Sequence, residues 1–189
     1  MAMLRKARAW RGALGVAAAG GALVASIAYA PTASAWTGTY EIRNGYSGKC
    51  LELSAWNPAN GARVDQWDCV PGSDGITQAN ERWTLVDQPD GQFQIRNAAS
   101  GKCLEIQGWS QDDGAILDQW DCLYSNGHAN ANQEWYMNEA GQLQNNNSRK
   151  CLDVLGWATW NGATVSQWDC KYLDDGRSQG NQDWQMWGV

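Results

Sequence analysis

The sequence predicts an all-β protein made of three copies of one unit, closed on itself with pseudo-threefold symmetry. Three observations carry this. The tetrapeptide Gln-Trp-Asp-Cys recurs at residues 66–69, 119–122 and 167–170 of a chain of 189 residues. The six cysteines fall into pairs of constant spacing, Cys50 and Cys69, Cys103 and Cys122, Cys151 and Cys170, each 19 residues apart. Short segments such as YEIRN, CLEL, ARVDQW and RWTLV alternate apolar and polar residues between clusters of Gly, Asn, Asp and Pro, the pattern of half-buried strands joined by turns.

The N-terminus is of another kind. Arg5, Lys6, Arg8 and Arg11 precede an apolar run over residues 12–30, and the small-residue triplet at 33–35 suits a cleavage site. Residues 1–35 read as a secretory signal peptide, with an uncleaved anchor helix as the competing reading. Cleavage leaves residues 36–189 as one compact domain with no further membrane span. It removes four of the 14 basic and none of the 20 acidic residues, for a formal charge of −10. So acidic a surface argues against nucleic acid or anionic membrane as partner.

From there the chain divides into repeats over about 39–87, 91–138 and 141–187, a period of about 50 residues. No single unit of about four short strands can bury its own apolar face, so three must close together, which also removes free sheet edges. Six cysteines allow 15 pairings. In an exported threefold repeat one pairing copied three times is expected, giving Cys50–Cys69, Cys103–Cys122 and Cys151–Cys170 as disulfides. Metal binding is a poor use of these cysteines, because there is no Cys-x-x-Cys and His128 is the sole histidine. No cofactor is implied.

The GKCL openings at residues 48–51 and 101–104, the cysteine spacing, the Gln-Trp-Asp-Cys and the closing Asn-Gln-x-Trp at 132–135 and 181–184 resemble the ricin B-type lectins, a β-trefoil family with Gln-x-Trp repeats. The resemblance implies twelve strands and up to three shallow sugar sites. It implies that Trp83, Trp135 and Trp184 form the interior layer where the repeats meet, with Gln133 and Gln182 satisfying buried backbone groups. The first repeat departs by carrying Glu81 in place of Gln, a group that needs a partner such as Arg82 if buried.

In the same family a carboxylate two residues after the first cysteine and an aromatic two residues before the second bind the sugar. Here these are Glu52 and Trp67, Glu105 and Trp120, and Asp153 and Trp168, joined by Asn80, Asn132 and Asn181. An exposed indole covers the apolar face of a pyranose while polar neighbours take its hydroxyls. The competing reading has Trp67, Trp120 and Trp168 packing on the disulfides or on a second repeated trio, Trp56, Trp109 and Trp157. The third repeat ranks first, since it alone keeps the shorter Asp153 and adds Lys171 beyond the second cysteine. All three repeats lack the family's Gln four residues before that cysteine and carry Asp65, Asp118 and Ser166 instead. The Gln of Gln-Trp-Asp-Cys lies one position on and, with a period of two, faces the other way.

The expectation is therefore a secreted, monomeric, non-enzymatic carbohydrate-binding protein. A secreted trefoil that binds protein is the alternative. Catalysis is disfavoured because Asp68, Asp121 and Asp169 recur three times, whereas a catalytic constellation is built once.

Overall fold

A computed structural model describes residues 37–189, so the signal-peptide reading lies outside the described residues. The chain forms a β-trefoil. Repeat one supplies β1 (Gly38–Asn44), β2 (Cys50–Leu53), β3 (Ala62–Trp67) and β4 (Arg82–Asp87). Repeat two supplies β5 (Phe93–Asn97), β6 (Cys103–Ile106), β7 (Leu117–Trp120), a short hairpin of β8 (Tyr124–Ser125) and β9 (His128–Ala129), and β10 (Trp135–Met137). Repeat three supplies β11 (Leu143–Asn145), β12 (Cys151–Val154), β13 (Ala163–Trp168) and β14 (Trp184–Gly188). The outer strands of each repeat pair in the order β14, β1, β4, β5, β10, β11, and the hairpins β2–β3, β6–β7 and β12–β13 meet one another through β3–β7, β3–β13 and an Ile116–Ser166 bridge. The twelve expected strands form one sheet, and β8–β9 is an addition in a loop that isolated bridges close in the other two repeats.

Each unit is tied internally in the same way. Trp83, Trp135 and Trp184 are buried in the shared core. Each indole N–H donates to the carbonyl next after the first cysteine of its own repeat, on Leu51 (2.9 Å), Leu104 (3.1 Å) and Leu152 (3.1 Å). This satisfies the one polar atom that burying so large an aromatic would orphan. The disulfides Cys50–Cys69, Cys103–Cys122 and Cys151–Cys170 all form, and each closes a loop worth about 3 kcal/mol on the chain-entropy argument.

The Gln of Gln-Trp-Asp-Cys fastens repeat to repeat. Gln66 donates to the carbonyls of Ala158 (2.9 Å) and Trp160 (3.4 Å), Gln119 to Asn57 (2.9 Å) and Ala59 (3.1 Å), and Gln167 to Ser110 (3.0 Å) and Asp112 (2.9 Å). Repeat one thus holds repeat three, repeat two holds one, and three holds two, closing a ring. Each amide oxygen accepts from the serine of its own GK or RK turn, Ser47, Ser100 or Ser148. The Asp of the tetrapeptide pairs with the turn lysine, Lys49 with Asp68, Lys102 with Asp121 and Lys150 with Asp169.

Candidate functional site

With Gln facing the neighbouring repeat, the strand alternation turns the next residue, Trp67, Trp120 or Trp168, to the other face. Trp67 and Trp120 are exposed and Trp168 is half-buried. Each indole edge lies over a glycine of the neighbouring repeat, Gly162, Gly61 and Gly114 respectively, where φ is between +76 and +82°. A side chain there would be strained by the backbone and would lie in ordinary contact with the ring.

In the third repeat Asp153, Trp168, Lys171 and Asn181 line one cleft of about 330 Å³, together with Leu155, Trp157 and Gln179. In the first repeat Glu52, Trp67 and Asn80 line the equivalent cleft of about 290 Å³, with Trp56, Gln78 and Glu81. In the second repeat Glu105 and Asn132 are buried beside exposed Trp120 and Trp109. In the first and third repeats the second tryptophan trio therefore shares the cleft with the first, Trp56 with Trp67 and Trp157 with Trp168, instead of being covered by it. Sequence reasoning gave Trp56, Trp109 and Trp157 no ligand role, and it did not single out Gln78 and Gln179. The available signal was repetition at a fixed distance after the first cysteine.

Backbone strain marks the same place. Trp56, Trp109 and Trp157 sit in the left-handed region at φ 56, 59 and 58°, each preceded by another left-handed residue, Ala55, Gly108 or Gly156. This costs a non-glycine residue about 1–2 kcal/mol. A cost repeated at all three sites, where glycine would be free of it, indicates selection for the indole's position.

The floor of each site is polar. Asp153 Oδ2 accepts from Asn181 Nδ2 (2.8 Å) and Gln182 Nε2 (2.9 Å), which leaves Oδ1 for a ligand hydroxyl. Glu105 accepts from Gln133 (2.7 Å) in the second repeat. Gln133 and Gln182 also bind backbone, donating to the carbonyls of Asp121 and Asp169 and accepting from the amides of Leu123 and Lys171. The side-chain oxygens of Asn80, Asn132 and Asn181 are buried without a partner, as are Oδ1 of Asp65 and Asp118 and Oγ of Ser166. These six atoms, at two equivalent positions of three repeats, are closed off from the surface. The site asparagines are held by Asn44, Asn97 and Asn145, whose side chains donate to the carbonyls of Asn181, Asn80 and Asn132 in the preceding repeat.

The sites differ in charge. Cross-strand register opposes Glu52 to Asp65 and Glu105 to Asp118, but Asp153 to Ser166. Burial pushes Asp118 up to about 6, helped by Glu105. Burial also raises Asp153 to about 6 against the pull of Gln182 and Asn181. In the first repeat burial lifts both Glu52 and Glu81 to about 7, with Asp65 and Glu81 adding to the effect on Glu52. Glu81 does not pair with Arg82, which bonds Asp74 at 2.9 Å. Glu81 closes a 3-10 turn, Ala79–Glu81, and accepts from the amide of Val70 (2.9 Å), while Arg82 opens β4 with its guanidinium on Asp74. The three sites thus hold three, two and one carboxylates.

The family model for ricin-type beta-trefoil lectin domain-like proteins matches the chain over residues 11–67, 28–120 and 79–168, and the chain belongs to that family. Among solved structures it is similar to the designed threefold symmetric protein ThreeFoil (TM-score 0.67, 30% identity, 80% of this chain and 99% of that one). It also matches part of an exo-β-1,3-galactanase from Clostridium thermocellum (TM-score 0.66, 29% identity, 81% of this chain), spanning 30% of that enzyme's length. The C-half of an earthworm R-type lectin, in complex with GalNAc, shares the fold at TM-score 0.59 and 18% identity, covering 79% of this chain and 97% of that one.

Proposed function

We propose that this is an exported carbohydrate-binding protein that engages polysaccharide or glycan mainly through its third repeat, with the first two sites as weaker partners. One observation carries the reading. A single cleft joins two tryptophans, Trp157 and Trp168, to the polar residues Asp153, Asn181 and Lys171. Aromatic faces and fixed hydrogen-bonding groups are what a sugar ring requires, since it has an apolar face and a rim of hydroxyls. At neutral pH Asp153 is ionised and accepts from those hydroxyls.

A shallow single-ring contact lies near millimolar affinity, about 4 kcal/mol. Useful retention then comes from engaging more than one site on a single polymer. This favours a polymer or glycan-dense surface over free sugar. The galactanase and the GalNAc-bound earthworm lectin place β-1,3-galactan and GalNAc glycans in the screen.

The test is retention of the purified, disulfide-intact protein on immobilised polysaccharides and a glycan array, beside Asp153→Ala and Trp168→Ala. Retention lost in both variants, with fold intact, supports the reading. Retention unaffected by either removes the third repeat as the main site. No retention on any glycan rejects carbohydrate binding and turns attention to a protein ligand.

A further inference from the structure

The loops that follow the second tryptophan trio connect the sites around the ring. Residues 57–61 leave Trp56 and pack on Gln119, next to Trp120. Residues 110–114 leave Trp109 and pack on Gln167, next to Trp168. Residues 158–162 leave Trp157 and pack on Gln66, next to Trp67. The three contacts are built alike, and the last shows the pattern. Gly162 N–H donates to Gln66 O (2.8 Å), Asp68 N–H donates to Asn161 Oδ1 (3.0 Å), and Asn161 Nδ2 donates back to Asp68 Oδ2 (2.9 Å).

At the middle of these loops stand Ala59, Asp112 and Trp160. Trp160 is 65% exposed, the highest value among the exposed large hydrophobic side chains described. Its backbone is fixed by Gln66, and it follows Trp157 by three residues, which keeps their Cα atoms within about 11 Å. Its loop runs from Trp157, which lines the third-repeat cleft, to Gly162, which lies against Trp67 of the first-repeat cleft. The third cleft is further built up by Tyr46 of repeat one, whose ring meets Trp157 edge-on at 5.0 Å; the equivalent residues elsewhere are Ala99 and Asn147.

We propose that Trp160 is an intermediate stacking subsite for one oligosaccharide chain that starts in the third-repeat cleft and runs toward Trp67 of the first. The inference rests on the carbohydrate-binding reading above and adds a direction and a length dependence to it. An indole held by its backbone between two clefts that each pair tryptophan with carboxylate suits a continuing sugar chain, because successive rings present similar faces. Ala59 and Asp112 offer no such face, so the other two gaps in the ring lack the bridge.

The test is calorimetric titration of the full, disulfide-intact chain with xylo-oligosaccharides and β-1,3-galacto-oligosaccharides, each as monomer, trimer and hexamer. Wild type, Trp160→Ala, Trp160→Phe and Trp168→Ala are compared. Affinity of the wild type should rise with length. Trp160→Ala should weaken hexamer binding about fivefold, or about 1 kcal/mol, leave monomer binding unchanged, and be largely rescued by Phe. Trp168→Ala should weaken every length. Hexamer affinity of Trp160→Ala within about twofold of wild type, while Trp168→Ala still fails, overturns the bridge and leaves the lectin reading standing. Absence of wild-type binding at every length in both series overturns both.

Discussion

Glu81→Gln should stabilise the protein by an amount that grows as pH rises from about 4.5 and levels off above about 7. In the second and third repeats the Gln at this position donates from Nε2 to the site carboxylate, to Glu105 at 2.7 Å and to Asp153 at 2.9 Å, while its oxygen accepts a backbone N–H. Glu81 reproduces the accepting half by binding Val70 N–H, but it has no N–H to offer Glu52. The result is two buried carboxyl groups lining one cleft, both raised from 4.5 to about 7. A folded-state pKa above the unfolded one means that the folded protein holds the extra protons between about pH 4.5 and 7. The pair's contribution is therefore fully present below 4.5 and lost as pH rises through 7.

A rise of that size corresponds to about 3 kcal/mol for one group. Water at the cleft mouth screens the interaction, and the groups around the pair, Asp65, Glu41, Arg43 and Asp68, partly offset one another, so about 2 kcal/mol is expected. Urea unfolding of wild type and variant with disulfides intact should show this gain at pH 8, with a Tm rise of about 4–8 °C. At pH 5 Glu81 is protonated and differs little from Gln, so the gain should fall below about 0.5 kcal/mol. An equal gain at both pH values, or a loss at pH 8, would refute the paired-carboxylate argument.

Further expectations follow from the same geometry. Ala55→Gly should raise stability by about 0.5–1 kcal/mol in equilibrium unfolding, because the sister repeats carry glycine at this left-handed position and relief of strain exceeds the added chain entropy; a decrease would contradict the strain argument. Gln167→Ala leaves the carbonyls of Ser110 and Asp112 and the hydroxyl of Ser148 without their partner, and should cost about 2–3 kcal/mol in the same assay, whereas a cost under about 0.5 would deny it the role of a clasp. Glycan binding should weaken as pH falls through about 6, where Asp153 takes up a proton and presents one acceptor fewer; a profile flat from pH 7.5 to 5 would remove Asp153 from the site. Trp157→Ala should abolish binding at the third repeat while costing only about 1 kcal/mol of stability, the edge contact with Tyr46, since alanine keeps the left-handed strain; a larger loss would make Trp157 a structural residue.

What the sequence discloses and what it conceals divide along a physical line. Disulfide pairing, the number of units and the opposed directions of Gln and Trp in Gln-Trp-Asp-Cys follow from spacing and from the period of two, which act within a strand or within a repeat. Contacts between repeats do not. That Gln66 reaches Ala158 across the ring, or that Tyr46 braces Trp157, depends on how three units close, and no local period encodes it. Trp56, Trp109 and Trp157 were ambiguous for a related reason. They lie in loops where a left-handed backbone, not a pleat, decides where the side chain points. Glu81 finds its partner in Val70 N–H and not in Arg82, because it ends a 3-10 turn while Arg82 begins β4, and the chain's local period does not show that junction.

The repeats themselves separate scaffold from site. Positions that fasten the ring are the same residue three times: the cysteines, Gln66, Gln119 and Gln167, Ser47, Ser100 and Ser148, Lys49, Lys102 and Lys150, and Asn44, Asn97 and Asn145. At the sites both tryptophan trios and Asn80, Asn132 and Asn181 are also kept, and the positions that diverge are Glu52, Glu105 and Asp153; Asp65, Asp118 and Ser166; Glu81, Gln133 and Gln182; Val70, Leu123 and Lys171. Every step from the first repeat to the third lowers the negative charge confronting a ligand, until Asp153 stands alone opposite Ser166, held by Gln182 and with Lys171 at the rim. Burial is the main cause of the raised carboxyls in all three sites; Asp118 and Asp153 both stand at about 6, and the first repeat departs most, with Glu52 and Glu81 at about 7. The identical clasps hold all three sites to one backbone geometry, so differences in sugar affinity among the repeats should follow from these side chains and from the bridge at Trp160.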